Sequence, residues 1–181
     1  MRMSQPKVFD PDLEVMTYLQ QRRDILDQSA ILRNTDLFRE ISEEDLKKIA
    51  AISTSRKHKK GDILFQEKSK GDELFIVVSG CIAINKNVAG GRKRNLGNLR
   101  SGEIFGEISL FDTEPRSAGA EAIEDSEVIV VPNGKFLALL NEKSPLANLI
   151  QKKVINILCR RLRNTDEMLN EGVIWGFKME S

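Results

Sequence analysis

The sequence predicts a mainly β protein: an antiparallel β-roll with helices on either side. Apolar residues follow a helical period up to Ile52, alternate from there to Pro132, and return to a helical period beyond it. The middle stretch is punctuated at short intervals by Gly61-Asp62, Gly71-Asp72, Gly80, Gly90-Gly91, Gly97 and Gly102. Short apolar runs separated by turns roughly every 8–12 residues suit a sandwich or barrel. The chain has 181 residues, 40% of them hydrophobic, which fits one domain with a sizeable core and helical extensions.

Each element has its own signal. Residues 11–27 read as a first helix. Pro11 suits a first helical turn, and Val15, Leu19, Arg22 and Leu26 fall at helical spacing. A second short helix is expected at 29–33. Ser42 with Asp45 outlines a capping box for a helix that turns Leu46, Ile49 and Ala50 inward. The strand runs are 63–65, 74–78, 81–84, 118–123 and 128–131. The polar, basic stretch 85–95 reads as a mobile hairpin loop. Its Arg92-Lys93-Arg94 run suits an acidic partner, or simply solvent. Asn133 is placed to cap a short helix carrying Phe136, Leu139 and Leu140. Pro145 opens a long helix to about Asn170, roughly 39 Å at about 1.5 Å per residue. Gly172 is expected to end it, and the tail with Ile174, Trp175 and Phe177 to fold back. The resulting division is a helical extension over 1–35, the central domain over 36–170 and a tail over 171–181.

Composition narrows the function. Lys plus Arg is 28 and Asp plus Glu is 27, a formal net charge of +1. Such a balance gives no whole-protein attraction to nucleic acid or an anionic membrane, so any anion must be held by a local site. Cys81 and Cys159 lie in apolar stretches and read as small buried hydrophobes. Two cysteines make neither a disulfide framework nor a Cys-cluster zinc site. The single histidine, His58, sits in the basic run 56–60 and reads as a surface strand residue. Metal-dependent jelly-roll enzymes of the cupin kind need several histidines. No Ser-His or Cys-His pair is suggested, so no metal, cofactor or catalytic centre is expected. Residues 1–10 lack the apolar run of a signal peptide, and no window approaches 18 consecutive apolar residues. A cytoplasmic protein without a membrane partner is the expectation.

The informative segment is Phe105-Gly106-Glu107-Ile108-Ser109-Leu110, followed after four residues by Pro115-Arg116-Ser117-Ala118. Gly106 permits conformations and close approaches that other residues forbid. Residues 107–111 can form one helical turn whose first amides suit a phosphate. Arg116 offers a planar fork matching two phosphate oxygens, and Ser117 a hydroxyl beside it. Glu107 would repel a phosphate but accepts hydrogen bonds from ribose hydroxyls. A structural Glu107–Arg116 salt bridge is equally compatible with the spacing.

FGEISLFDTEPRSA resembles, without gaps, the phosphate-binding cassette of the cyclic nucleotide-binding domain family. The likeness extends from about Leu37 to Leu169. It implies an eight-stranded jelly roll flanked by helices. In that reading Phe105 opens the motif, and Glu107 accepts from the ribose 2′-hydroxyl. Gly106 and the amides of Ile108 and Ser109 line the sugar-phosphate pocket, and Arg116 neutralises the cyclic phosphate. Ser117 donates to phosphate or base, and Ala118 presents an amide. The likeness of 160–165 to the bacterial catabolite activator branch makes Thr165 the candidate base contact and Asp166 a weaker one.

That branch continues into a helix-turn-helix domain. The dozen or so residues here beyond the long helix are too few for one, so no DNA partner is expected. Arg22-Arg23-Asp24-Ile25 does not fit the inhibitor stretch of kinase regulatory subunits. The resemblance therefore implies a non-catalytic cyclic nucleotide sensor whose flanking helices move against an effector protein. Ser117 follows the cassette arginine, as in the cAMP-binding catabolite activator branch, so cAMP is favoured over cGMP. Ile155, Leu158, Leu162, Thr165 and Leu169 recur at heptad spacing and suggest a homodimer through the long helix, or packing on the roll. The alternatives are a degenerate fold acting as a protein-interaction scaffold, and a cyclic dinucleotide receptor.

Overall fold

The computed structural model describes residues 11–141 and 145–179. Helix α1 spans Pro11–Arg33 and α2 Glu43–Ile52. Eight strands follow: β1 Thr54–His58, β2 Ile63–Phe65, β3 Glu73–Ser79, β4 Ile82–Val88, β5 Arg92–Leu99, β6 Ile104–Phe105, β7 Gly119–Ala122 and β8 Ser126–Pro132. Helices α3, Asn133–Asn141, and α4, Pro145–Met179, close the chain. The strands form two four-stranded sheets with orders β1-β8-β3-β6 and β2-β7-β4-β5, every pair antiparallel. This is the jelly roll that the motif implied.

Strands β3 and β8 are buried on both faces, which explains their unbroken apolar runs. Phe75, Val77, Val128 and Val130 point into the roll, onto Ile82, Phe105 and Ala122. Leu74, Ile76, Ile129 and Val131 point outward, onto Phe38, Leu46, Phe136 and Ile150 of the helical layer. That layer holds α2, α3 and the first turns of α4 against one sheet, beside the cassette. Strand β1 carries no apolar run and escapes a hydrophobicity reading. Its exposed Thr-Ser-Arg-Lys pattern is that of an edge strand, blunted by charge and paired only with β8.

The structure corrects four sequence expectations. Residues 11–33 form one helix rather than two, and the Ser29 hydroxyl bonds back to the Leu26 carbonyl at 2.9 Å. The stretch 85–95 is not a loop. β4 and β5 pair along it from Ile82↔Leu99 to Val88↔Arg92, turning at Gly90 and Gly91, both at positive φ. Helix α4 continues through Gly172 to Met179, so the backbone of the tail stays helical through Met179. Cys81 is buried but Cys159 is exposed.

Ser42 caps α2 as anticipated. Its hydroxyl accepts from the Asp45 amide at 3.1 Å and donates to the Asp45 carboxylate at 2.7 Å. Ser42→Ala is expected to cost about 1 kcal/mol of stability. Urea unfolding checks this; an unchanged midpoint would show the cap to be dispensable.

Candidate functional site

The site starts at a backbone reversal. Gly106, in the left-handed region at φ 76°, turns the chain out of β6 into a single 3-10 turn over Glu107–Leu110. Aromatic packing fixes the base of that turn, with Phe105 stacked on Phe75 at 4.9 Å and 12° between ring planes. The segment carrying Arg116 is anchored by its backbone. The Arg116 amide donates to Ser69 O and its carbonyl accepts from the Lys68 amide, both at 2.8 Å.

Arg116 is 8% exposed and its guanidinium lies 4.2 Å from the centre of the Phe65 ring. Nη1 donates to the Gly106 carbonyl at 3.2 Å and to the Ser109 hydroxyl at 3.1 Å, and Nη2 donates to the Glu73 carbonyl at 2.8 Å. Nε has no hydrogen-bond partner. A guanidinium offers five N–H donors, so donors remain for an incoming acceptor. Burial pushes the guanidinium below its ordinary pKa, while Asp72, Glu73 and Glu107 act in the opposite direction. An arginine so placed stays charged.

Glu107 is 1% exposed. One carboxylate oxygen accepts from Arg161 Nη1 at 2.6 Å; the other is buried without a partner. The ion pair of Glu107 is thus with Arg161 on α4, not with Arg116. Arg161 also bonds the Ile104 carbonyl, which ties the long helix to the cassette at two points.

The Ser109 hydroxyl donates to the Gly106 carbonyl at 2.8 Å and accepts from Arg116 and from Asn133 Nδ2. Its role here is to hold Arg116. Ile108 is exposed at the rim, Ser117 is exposed and Ala118 is buried. The Ser117 carbonyl accepts from Lys86 Nζ at 2.8 Å.

Two cavities meet over these residues. A cleft of ≈60 Å³ lies against Arg116, and a chamber of ≈480 Å³ lies between the roll and α4. They share Ile84, Glu107, Ile108, Ser117, Ala118 and Arg161. The cleft combines a buried cation with a carboxylate, and the chamber is partly apolar and large enough for a ring system. Thr165 lines the chamber, its hydroxyl bonded to the Arg161 carbonyl at 2.9 Å. Asp166 is exposed one residue further along and does not line it. His58 closes the exposed strand β1, away from both cavities. Among the described residues no group of His, Cys, Asp or Glu is arranged to hold a metal ion, and no helix is long and apolar enough to cross a membrane.

Sequence reasoning missed three contributors. Arg161 was noted only as part of the helix preceding Thr165. Gly71 was read as a turn residue, yet a Cβ there would sit 2.7 Å from Arg116 Nε. Asn133 was read as a helix cap, yet its side chain bonds Ser109. A polar residue opening a helix right after a buried strand was the one available hint for Asn133.

Comparison with known proteins agrees with this geometry. The family model described as "Cyclic nucleotide-binding domain" matches residues 55–143. The chain is 32% identical over 135 residues to the cyclic AMP receptor protein of Thermus thermophilus, covering 75% of this chain and 61% of that protein. It is 28% identical over 110 residues to the CRP-like cAMP-activated global transcriptional regulator of Mycobacterium tuberculosis, covering 61% of this chain and 47% of that protein. It is 30% identical over 126 residues to the cAMP-dependent protein kinase regulatory subunit of Mycosarcoma maydis, covering 67% of this chain but 23% of that protein. The chain therefore spans less than two thirds of the length of each of these relatives. The crystal structure of the Thermus thermophilus catabolite activator protein superposes with a TM-score of 0.66 at 32% identity, over 75% of this chain and 62% of that one. The jelly roll, the cassette turn and the family match coincide on the same residues: the chain belongs, through residues 55–143, to the cyclic nucleotide-binding domain family.

Proposed function

We propose that the chain is a non-catalytic cyclic nucleotide sensor that takes cAMP in preference to cGMP. One observation carries the reading. Arg116 and Glu107 are both buried and both line one small cleft that opens into a larger chamber, and each keeps a side-chain atom, Arg116 Nε and one Glu107 carboxylate oxygen, without a hydrogen-bond partner. A cyclic phosphate supplies acceptors to the first and a ribose 2′-hydroxyl supplies a donor to the second. The base extends into the chamber towards Thr165. Ser117 at the rim and the cAMP-linked names of the relatives favour adenine.

The output runs through the helices to an effector protein. Arg161 joins α4 to the carboxylate that takes the ribose, so occupancy of the site changes what holds the helix. Ile155 and Leu162 are 58% and 63% exposed on α4, and with Leu158 and Thr165 they form the surface proposed for a homodimer; the side chain of Leu169, the fifth residue of the heptad pattern, lies outside the described ones.

Calorimetry with cAMP, cGMP and a cyclic dinucleotide tests the reading. Saturable one-site binding, tightest for cAMP, is expected; absence of heat with all three would leave the scaffold alternative. The ribose contact has its own test. A hydrogen bond to a charged group contributes about 1.5–3 kcal/mol. Removing the ligand's 2′-hydroxyl should therefore cost the wild type roughly tenfold or more and cost Glu107→Ala little. Equal losses in the two proteins would show that Glu107 is not the partner of that hydroxyl.

A further inference from the structure

The first residue of α3 is a buried asparagine, 5% exposed, wedged against the cassette from behind. Its Nδ2 donates to the Ser109 carbonyl and to the Ser109 hydroxyl, both at 2.9 Å. Its backbone amide donates to the Asp72 carbonyl at 2.9 Å. Its Oδ1 is buried without a partner. A cap or a space-filling residue explains none of this. The side chain reaches out of the helix rather than to its amides. A leucine of similar shape would fill the space without burying an unpaired acceptor, a group that lowers stability.

Both anchors of Asn133 belong to the shell around Arg116. Asp72 directly follows Gly71, which lies against the Arg116 guanidinium. The Ser109 hydroxyl has one hydrogen and two lone pairs. The hydrogen goes to the Gly106 carbonyl, and the lone pairs take Arg116 Nη1 and Asn133 Nδ2. The hydroxyl is saturated, so a shift of Arg116 Nη1 towards an anion changes what Ser109 presents to Asn133. Beyond Asn133, the side chains of Phe136 and Leu140 on α3 share a core with Ile150 and Val154 on α4. The helix pair therefore moves as packed elements when its first residue is displaced.

We propose that Asn133 is a relay residue, passing the state of Arg116 through the Ser109 hydroxyl to α3 and from there to α4. The relay rests on the reading of Arg116 as the phosphate ligand. It is a second link to α4, independent of the Arg161–Glu107 ion pair. It depends on Ser109 and Asn133 occurring together: alanine at either position leaves the cassette turn and the helix packed together but without this hydrogen-bonded link. A packing role for Asn133 would alter the stability of the free protein. A relay alters the difference between free and bound protein.

The test is hydrogen exchange on the full chain with and without saturating cAMP, or cGMP if calorimetry shows it to bind more tightly. In the wild type, amides in 105–118, 133–141 and 145–165 gain protection. In Asn133→Leu at saturating ligand, the gain in 105–118 persists and the gains in 133–141 and 145–165 fall by at least half. Undiminished gains in both helices would overturn the relay. A wild type that binds, protects 105–118 and leaves 133–141 unchanged would overturn it while preserving the proposed function. A wild type with no calorimetric binding would remove both. If Asn133→Leu fails to fold, the wild type still decides: the Asn133 side-chain amide resonances shift with ligand at the midpoint of the cassette amides. Resonances that stay fixed through saturation would overturn the relay.

Discussion

Arg116→Ala reduces cyclic nucleotide affinity by about two to four orders of magnitude. Two hydrogen bonds from a guanidinium to phosphate oxygens contribute roughly 1.5–3 kcal/mol each, and each 1.4 kcal/mol is about tenfold in the dissociation constant. The substitution also frees three acceptors that Arg116 holds: the Gly106 and Glu73 carbonyls and the Ser109 hydroxyl. A lower melting temperature is expected alongside the loss of binding. Arg116→Lys separates the two effects. It keeps the charge, but a single ammonium cannot span the Gly106 carbonyl, Ser109, the Glu73 carbonyl and a ligand at once. Its affinity should fall between wild type and alanine, with most of the melting temperature retained. Calorimetry and thermal unfolding on the same preparations check both. Near-wild-type affinity in Arg116→Ala would remove the guanidinium from the site.

What could be read from the sequence depended on how far apart the cooperating residues lie along the chain. FGEISLFDTEPRSA is contiguous, so turn, carboxylate and arginine were visible together. The strands buried on both faces, β3 and β8, announced themselves as apolar runs, and Ser42 was recognisable because its partner lies three residues on. Arg161 is 54 positions from Glu107 and Asn133 is 24 from Ser109, and neither carries a local signal of its partner. The β4–β5 ribbon was misread because its outer half is largely exposed on both faces. A strand held chiefly by its backbone ladder has no hydrophobic alternation to display. The continuity of α4 past Gly172 has the same origin. A glycine costs a helix about 1 kcal/mol, which lowers its propensity without ending it. The alternative of a Glu107–Arg116 salt bridge could be settled only in three dimensions, by Arg161 arriving from the far end of the chain.

Gly71→Ala and Gly106→Ala both displace Arg116, and they differ in what else they disturb. A Cβ on Gly71 would lie 2.7 Å from Arg116 Nε, 2.8 Å from Cζ and 3.0 Å from Cδ. All three are side-chain atoms of one residue, and no other neighbour approaches as closely. Gly71 is not among the residues at positive φ, so alanine strains no backbone there. The guanidinium must yield, and it moves out of the position it holds beside the cleft. Gly106 is constrained three ways. Its φ of 76° is costly for any residue with a Cβ, by about 1 kcal/mol or more. Its Cβ would lie 2.6 Å from Arg116 Nη1 and 2.9 Å from the Glu73 carbonyl oxygen, a backbone atom that cannot swing aside. That Glu73 carbonyl and the Gly106 carbonyl are themselves acceptors that Arg116 holds. Gly71→Ala should therefore lose at least tenfold in affinity, with a smaller fall in melting temperature than Gly106→Ala because no backbone is strained. Gly106→Ala should lose affinity more deeply and melt several degrees lower, since about 1 kcal/mol shifts a domain of this size by roughly 2–4 °C. Thermal unfolding paired with calorimetry reads both quantities. Gly71→Ala with wild-type affinity would show that Arg116 can take the phosphate from more than one position, and that the tight fit around its guanidinium serves the fold rather than the ligand.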